Sequence, residues 1–326
     1  MASVIRALLL IVVIRIGQRI FRLLYPQIPQ QQNTNDPNMF TPAWPLDQPC
    51  DLYVYVSPQA IQTRFPDDQL VLKLTGISIA KLGKQSAEWK GKIGKADERL
   101  YSHVYLTRAG VHPNPDVSGY RPMDVVYRRA SLTGIGRRPR PVVNLLSKDA
   151  APQSAAEDAP FWYPVLRIGL VRRDGPLDVN GIPPLLRQYY TVDRPSHTYL
   201  PVIYLHDQWQ LQDRRRFLDG PSDVNLDIQV DGMSPTWHHI LVSLAHAFSQ
   251  QPQSDGPMAG EFEQLKGMFV ETAPWLIALT FAVALLHSLF DFLAFKNDIQ
   301  FWRERGADRG GRGLEGLSVR ALLVGA

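Results

Sequence analysis

With 326 residues the chain can bury a sizeable core in one or two domains, and 45 % hydrophobic with 20 % charged residues excludes wholesale disorder. The net charge of +4 is small, and the basic clusters are short (Arg137, Arg138 and Arg140, then Arg214, Arg215 and Arg216), so nucleic acid is not expected as a partner. Cys50 is the only cysteine, which excludes an internal disulfide framework and any multi-cysteine zinc or iron–sulfur site.

Residues 1–25 hold a short apolar run, Ala7 to Ile14, set among Arg6, Arg15, Arg19 and Arg22. No small-x-small cleavage site follows it, so a tilted signal anchor or a basic interfacial helix both fit, with the anchor preferred. Residues 26–47 are polar and proline-rich, the composition of a poorly ordered linker.

From residue 48 to 250 the pattern is that of a β-rich domain. Strands are expected over Asp51 to Val56, Leu70 to Ile79, Leu100 to Thr107, Val165 to Val171 and Tyr199 to Leu205, from period-two patterning and β-branched or aromatic content. The cleanest is Asp223 to Asp231, where Val224, Leu226, Ile228 and Val230 alternate with polar residues as in a half-solvated antiparallel sheet. Six or so such strands predict a β-sandwich-like fold, with long loops over Val111 to Gly119 and Lys148 to Pro160. A helix then starts at Ser234 as N-cap with Pro235 at its first position, and carries Trp237, Leu241, Leu244 and Phe248 at helical spacing.

Residues 251–274 read as a linker and a juxtamembrane helix from Glu261 to Glu271. Trp275 to Phe295 is an apolar run of 21 residues, about 31 Å long as a helix, with twelve Leu, Ile, Val or Phe to favour insertion in a bilayer. The basic segment from residue 296 to 326, with Lys296, Arg303, Arg305, Arg309 and Arg312, favours a cytosolic location for that end and an extracytosolic strand domain.

Within the span, Thr280, Ala284, His287, Ser288, Asp291 and Ala294 fall on one side of the helix at about 100° per residue. A face that is small and polar in hydrocarbon turns toward other helices or toward a polar groove. Asp291 could also reach the interface by snorkelling, and His287 could be a neutral packing residue.

Chemistry beyond this is not written in motifs. No Walker loop, nucleophile elbow, His-Glu-x-x-His or dinucleotide fingerprint occurs, so the chain is not expected to be an enzyme and no cofactor is implied. His238, His239 and His246 share the Ser234 helix, but their spacing spreads them along it, so no metal site is expected and partly exposed histidines are the simpler reading. A lumenal carbohydrate-active enzyme would need two carboxylates converging in one cleft.

Several stretches resemble the cleft lip and palate transmembrane protein family. The most specific is "LAFKNDIQFW", Leu293 to Trp302, followed by "LEGLSVR", Leu314 to Arg320; "KGMFVETAPWLIALT", "YLPVIYLHDQW", "NLLS" and "AGVHPNPD" precede them in the family's order. The resemblance spans roughly residues 50 to 320. It implies a multi-pass protein of the endoplasmic reticulum or other endomembranes with a large extracytosolic β-rich domain. Two roles are implied: flipping a glycolipid precursor of glycosylphosphatidylinositol anchors between leaflets, or controlling assembly and traffic of receptor clients through the lumenal domain. Membrane lipids are then the partners, the polar face of Thr280, His287, Ser288 and Asp291 the transfer track, and Lys296, Asn297, Asp298, Gln300 and Trp302 its cytosolic mouth. Family members continue past "LEGLSVR" into further spans, whereas this sequence ends six residues on, which leads us to expect a C-terminally truncated member.

Overall fold

The computed structural model describes residues 38–95, 98–138, 158–250, 258–272 and 274–308. The predicted anchor, most of the linker and the motifs at Asn144–Ser147 and Leu314–Arg320 lie outside them. The chain divides into two compact units, one up to Glu263 and one from Gln264.

The first unit is mainly β. Its strands are β1 (Met39–Pro42), β2 (Pro49–Ser57), β3 (Leu70–Ser78), β4 (Gln85–Ile93), β5 (Tyr101–Arg108), β6 (Val125–Ser131), β7 (Thr133–Arg137) and β8 (Asp158–Trp162). These are followed by β9 (Val165–Val171), β10 (Leu177–Asp178), β11 (Val192–Asp193), β12 (Thr198–Tyr199), β13 (Val202–Leu205), β14 (Arg216–Phe217) and β15 (Ser222–Met233). Two four-stranded sheets, β3-β2-β5-β6 and β13-β9-β15-β4, share one core in which Leu52, Val54, Val104 and Leu106 of the first join Leu166, Ile168, Leu226 and Ile228 of the second. Two smaller sheets, β10-β1-β12-β11 and β14-β8-β7, complete the unit.

β2 is buried on both faces because its sequence is apolar or aromatic at nearly every position. One face sends Cys50, Leu52, Val54 and Val56 into the main core, and the other sends Tyr53 and Tyr55 into a second cluster with Tyr105 and Val125. Asp51, on the tyrosine side, is only 5 % exposed. Its carboxylate accepts hydrogen bonds from the Gly76 and Gly110 amides, both at 2.8 Å. Register explains the first of these: Cys50 pairs with Ile77 but Leu52 with Leu74, so Thr75 and Gly76 together stand opposite Asp51 as a bulge. Gly76 takes φ +66° there, a conformation glycine adopts without strain.

β6 and β7 are separated only by Leu132, fully buried, at which the chain passes from one sheet to another. The Leu132 amide donates to Leu100 O at 2.9 Å and its carbonyl accepts from the Tyr163 amide at 2.8 Å. The backbone is therefore satisfied through the crossing.

β15 follows the sequence pattern, with Val224, Leu226, Ile228 and Val230 buried and Asn225 and Asp231 exposed. Its pairing differs from the expected antiparallel sheet: it runs antiparallel to β4 but parallel to β9. Three further corrections follow. The strand predicted over Tyr199 to Leu205 is two, β12 and β13, because Pro201 has no amide to continue a ladder. The predicted linker gives way by Met39, since β1 pairs with β10 and β12 and Trp44 is buried with its indole donating to Met123 O at 3.1 Å. The loop expected to run to Pro160 ends where β8 begins at Asp158.

Four helices are described: α1 (Pro184–Arg187), α2 (Pro235–Ser249), α3 (Met258–Glu271) and α4 (Pro274–Asp308). Ser234 caps α2, its hydroxyl accepting from the Trp237 amide at 3.2 Å. Replacing Ser234 with alanine leaves that amide to water and is expected to cost about 1 kcal/mol, read as a shift in the denaturation midpoint.

Candidate functional site

α4 runs unbroken for 35 residues because, from Trp275 to Arg305, neither proline nor glycine interrupts it. Trp275–Phe301, 27 residues or about 40 Å, is long and apolar enough to cross a membrane. Most of its apolar side chains lie outside a protein core: Trp275, Val283, Leu285, Leu286, Phe290 and Phe295 are each more than half exposed, while Ile277 is buried. Such a surface is stable in hydrocarbon and costly in water.

On this helix the polar residues have local partners. The Thr280 hydroxyl donates to Leu276 O at 2.9 Å and the Ser288 hydroxyl to Ala284 O at 3.0 Å, each spending its proton on the preceding turn and leaving oxygen lone pairs outward. His287 and Asp291, one turn apart, meet with Nε2 3.4 Å from Oδ2. Sequence reasoning placed these two on one side of the helix without seeing that they pair. In a medium that solvates ions poorly, an imidazole beside a carboxylate is far less costly than either charge alone.

The motif from Lys296 to Trp302 was expected just past the end of the span. It lies on the same continuous helix, whose apolar character persists through Ile299 and Phe301. Lys296 is half-buried, and Asn297, Asp298 and Gln300 are exposed.

The β-rich unit holds a second polar cluster. His238 on α2 is fully buried, its ring 5.1 Å from Tyr189 and 5.0 Å from Tyr204, and His206 packs on Tyr204 at 4.7 Å. This corrects the expectation of partly exposed histidines for His238, whereas His239 is partly exposed and His246 exposed. Neither ring nitrogen of His238 has a hydrogen-bond partner. Burial, aided by the positive charges of His239 and Arg173, pushes the His238 pKa down to about 4. Burial with Arg167 and His238 nearby lowers that of His206 to about 3. Among the described residues no group of histidine, cysteine and acid side chains is placed to hold a metal ion.

A cleft of about 230 Å³ opens where β5, β6 and β7 meet, lined by Glu98, Arg99, Tyr101, Ser131, Thr133 and Ile135, among others. Among the described residues that line it there is one carboxylate, not the converging pair that glycoside hydrolysis requires. Sequence could not reveal it, since its residues come from three separate stretches without a shared motif.

A β-rich unit followed in sequence by an apolar helix long enough to cross a bilayer defines a membrane protein with a substantial extramembrane domain. The chain belongs to the cleft lip and palate transmembrane protein 1 (CLPTM1) family, whose profile matches residues 1–326. It is 31 % identical over 336 residues to the CLPTM1 protein of Danio rerio, an alignment covering 90 % of this chain and 51 % of that protein. It is 30 % identical over 246 residues to the mouse protein named lipid scramblase CLPTM1L, covering 69 % of this chain and 42 % of the relative. A Dictyostelium discoideum relative, CLPTM1-like membrane protein cnrB, is 26 % identical over 239 residues, covering 69 % of this chain and 36 % of that protein. The chain thus spans about half the length, or less, of these relatives.

Proposed function

We propose that this chain takes part in lipid scrambling across the endoplasmic reticulum membrane, with its β-rich unit lumenal and folded as a β-sandwich, and with glycosylphosphatidylinositol precursors among the lipids moved. The observation that carries this reading is the polar line on α4, where Thr280, Ser288 and the His287–Asp291 pair interrupt an otherwise apolar, exposed helix. A head group crossing hydrocarbon needs donors and acceptors along its way, and this line supplies both. The two hydroxyl oxygens and the carboxylate can accept from the hydroxyls of a passing sugar, and the imidazole N–H can donate to a phosphate, without leaving a bare charge behind. The motif from Lys296 to Gln300, with Trp302 after it, would then meet the head group near the cytosolic end. The names of the mammalian relatives, lipid scramblase CLPTM1L, support the same activity.

The test is leaflet exchange of a fluorescent phospholipid in vesicles reconstituted with the chain. Replacing both His287 and Asp291 with leucine keeps the helix apolar and is expected to slow exchange about tenfold or more, one order of magnitude corresponding to roughly 1.4 kcal/mol on the barrier. Exchange that persists at the original rate would instead favour the second reading, an interaction protein that holds receptor clients through its lumenal unit. That reading draws on the independent core of the β-rich unit.

A further inference from the structure

We propose that the cleft between β5, β6 and β7 binds the zwitterionic head group of a phospholipid, a phosphodiester linked to an ammonium, with Arg99 facing the phosphate and Glu98 the ammonium. Glu98 and Arg99 are adjacent in sequence and line the same cleft, yet among the ion pairs of the described residues none joins them. The Glu98 carboxylate is fixed on one side, Oε2 accepting from the Gly94 amide at 3.0 Å, which leaves its other oxygen to a ligand. Arg99 is exposed at the rim. An inorganic anion at Arg99 would be opposed by Glu98, and a simple cation at Glu98 by Arg99. A ligand carrying both charges satisfies both residues at once, so the pair selects zwitterions over either ion.

The remaining lining fits the same chemistry. The Thr133 hydroxyl oxygen accepts from the Leu100 amide at 2.9 Å and keeps its own proton to give, and Ser131 is held beside it by a 2.7 Å bond to Thr133 O. Tyr101, which lines the cleft, carries the Arg129 guanidinium over its ring at 5.2 Å. At about 230 Å³ the cleft is below the range of pockets that enclose drug-sized molecules, which suits a head group and excludes its acyl chains. Ile135, 68 % exposed, and Pro160 stand in the lining as an apolar surface for the glyceride beyond the head group.

This inference deepens the lipid-handling reading by naming a ligand chemistry for the β-rich unit, and it is tested without transport. The full chain in maltoside micelles is titrated calorimetrically with glycerophosphoethanolamine, ethanolamine, inorganic phosphate and dihexanoyl phosphatidylethanolamine. Glycerophosphoethanolamine is expected to bind at least tenfold more tightly than phosphate or ethanolamine, and Glu98→Gln or Arg99→Gln to remove that preference. Arg99 is exposed and its replacement cannot unfold the protein, so Arg99→Gln remains informative if Glu98→Gln disturbs the Gly94 turn. The dihexanoyl lipid is expected to bind more tightly still, a gain lost in Ile135→Ser. Phosphate binding as well as the zwitterion, or indifference to both charge-removing substitutions, overturns the site. Equal affinity for the deacylated and diacyl ligands overturns its assignment to a lipid. Since micelles permit no leaflet exchange, failure here leaves the transfer reading standing, and loss of exchange in the His287/Asp291 variant leaves this binding untouched.

Discussion

Asp51→Ala is expected to destabilise the β-rich unit by about 2–3 kcal/mol, a large fraction of the 5–15 kcal/mol typical of a folded domain. The carboxylate spans two neighbours of the central strand β2, holding Gly76 on β3 through one oxygen and Gly110, just after β5, through the other. Each is a charge-assisted bond, worth about 1.5–3 kcal/mol when made and costly when one side is removed. Both glycines are exposed, so water reaches the freed amides and the loss stays below the sum of the two bonds. Asp51→Asn offers one oxygen acceptor and turns an NH₂ toward the other glycine amide, so it should fall between wild type and alanine. Tryptophan fluorescence during denaturation of the full chain in micelles orders the three proteins. Equal midpoints for all of them would remove the clamp.

The second large effect is one of pH. A histidine whose pKa is lower when folded than when unfolded binds fewer protons in the native state, so the unfolded state gains as pH falls. For His238 the window opens at the ordinary histidine value near 6.5 and closes near 4, where the folded protein also takes up the proton. Above pH 7.5 the stability is fully present, and across the window it declines by about 1.4 kcal/mol per pH unit, roughly 3 kcal/mol in all. His206 adds a loss in the same direction, and the two compete because each charge opposes the other. His238→Phe keeps a ring between Tyr189 and Tyr204 and has no proton to gain. Its denaturation midpoint should therefore exceed that of the parent at pH 5 by more than at pH 7.5. A pH dependence identical in both proteins would place the acid lability elsewhere.

How much of this was readable beforehand depends on whether the signal is local. β15 and α2 are legible because alternation in the first and a capping serine with proline behind it in the second are contained in a dozen residues. β4 is not: "QSAEWKGKI" is half polar and lysine-bearing, the composition that shields an edge strand from further pairing, and it conceals the strand from a periodicity reading. β10, β11, β12 and β14 are two residues long and exist only because a partner lies alongside. The polar line on α4 is visible from angular spacing alone, and the pairing of His287 with Asp291 follows from their i, i+4 separation. The buried setting of His238 and the company of Glu98, Arg99 and Thr133 are tertiary facts. Residues thirty or more positions apart become neighbours there through sheet order, which no local pattern records.

The position of β15 bears on how the protein is made. It is the last described strand of the unit to leave the ribosome, yet it lies between β9 and β4 and closes the second sheet, with Ser222 opposite Ile93 and Met233 beside Val171. Until it arrives, those two strands present open edges whose inner faces are apolar, the state most prone to mispairing. Only residues 234–273 then separate β15 from the start of α4, so sheet closure and delivery of the apolar helix to the bilayer fall close together in translation. A nascent chain stalled before residue 222 would be a client for chaperones, and one released after residue 233 already holds every described strand of the unit.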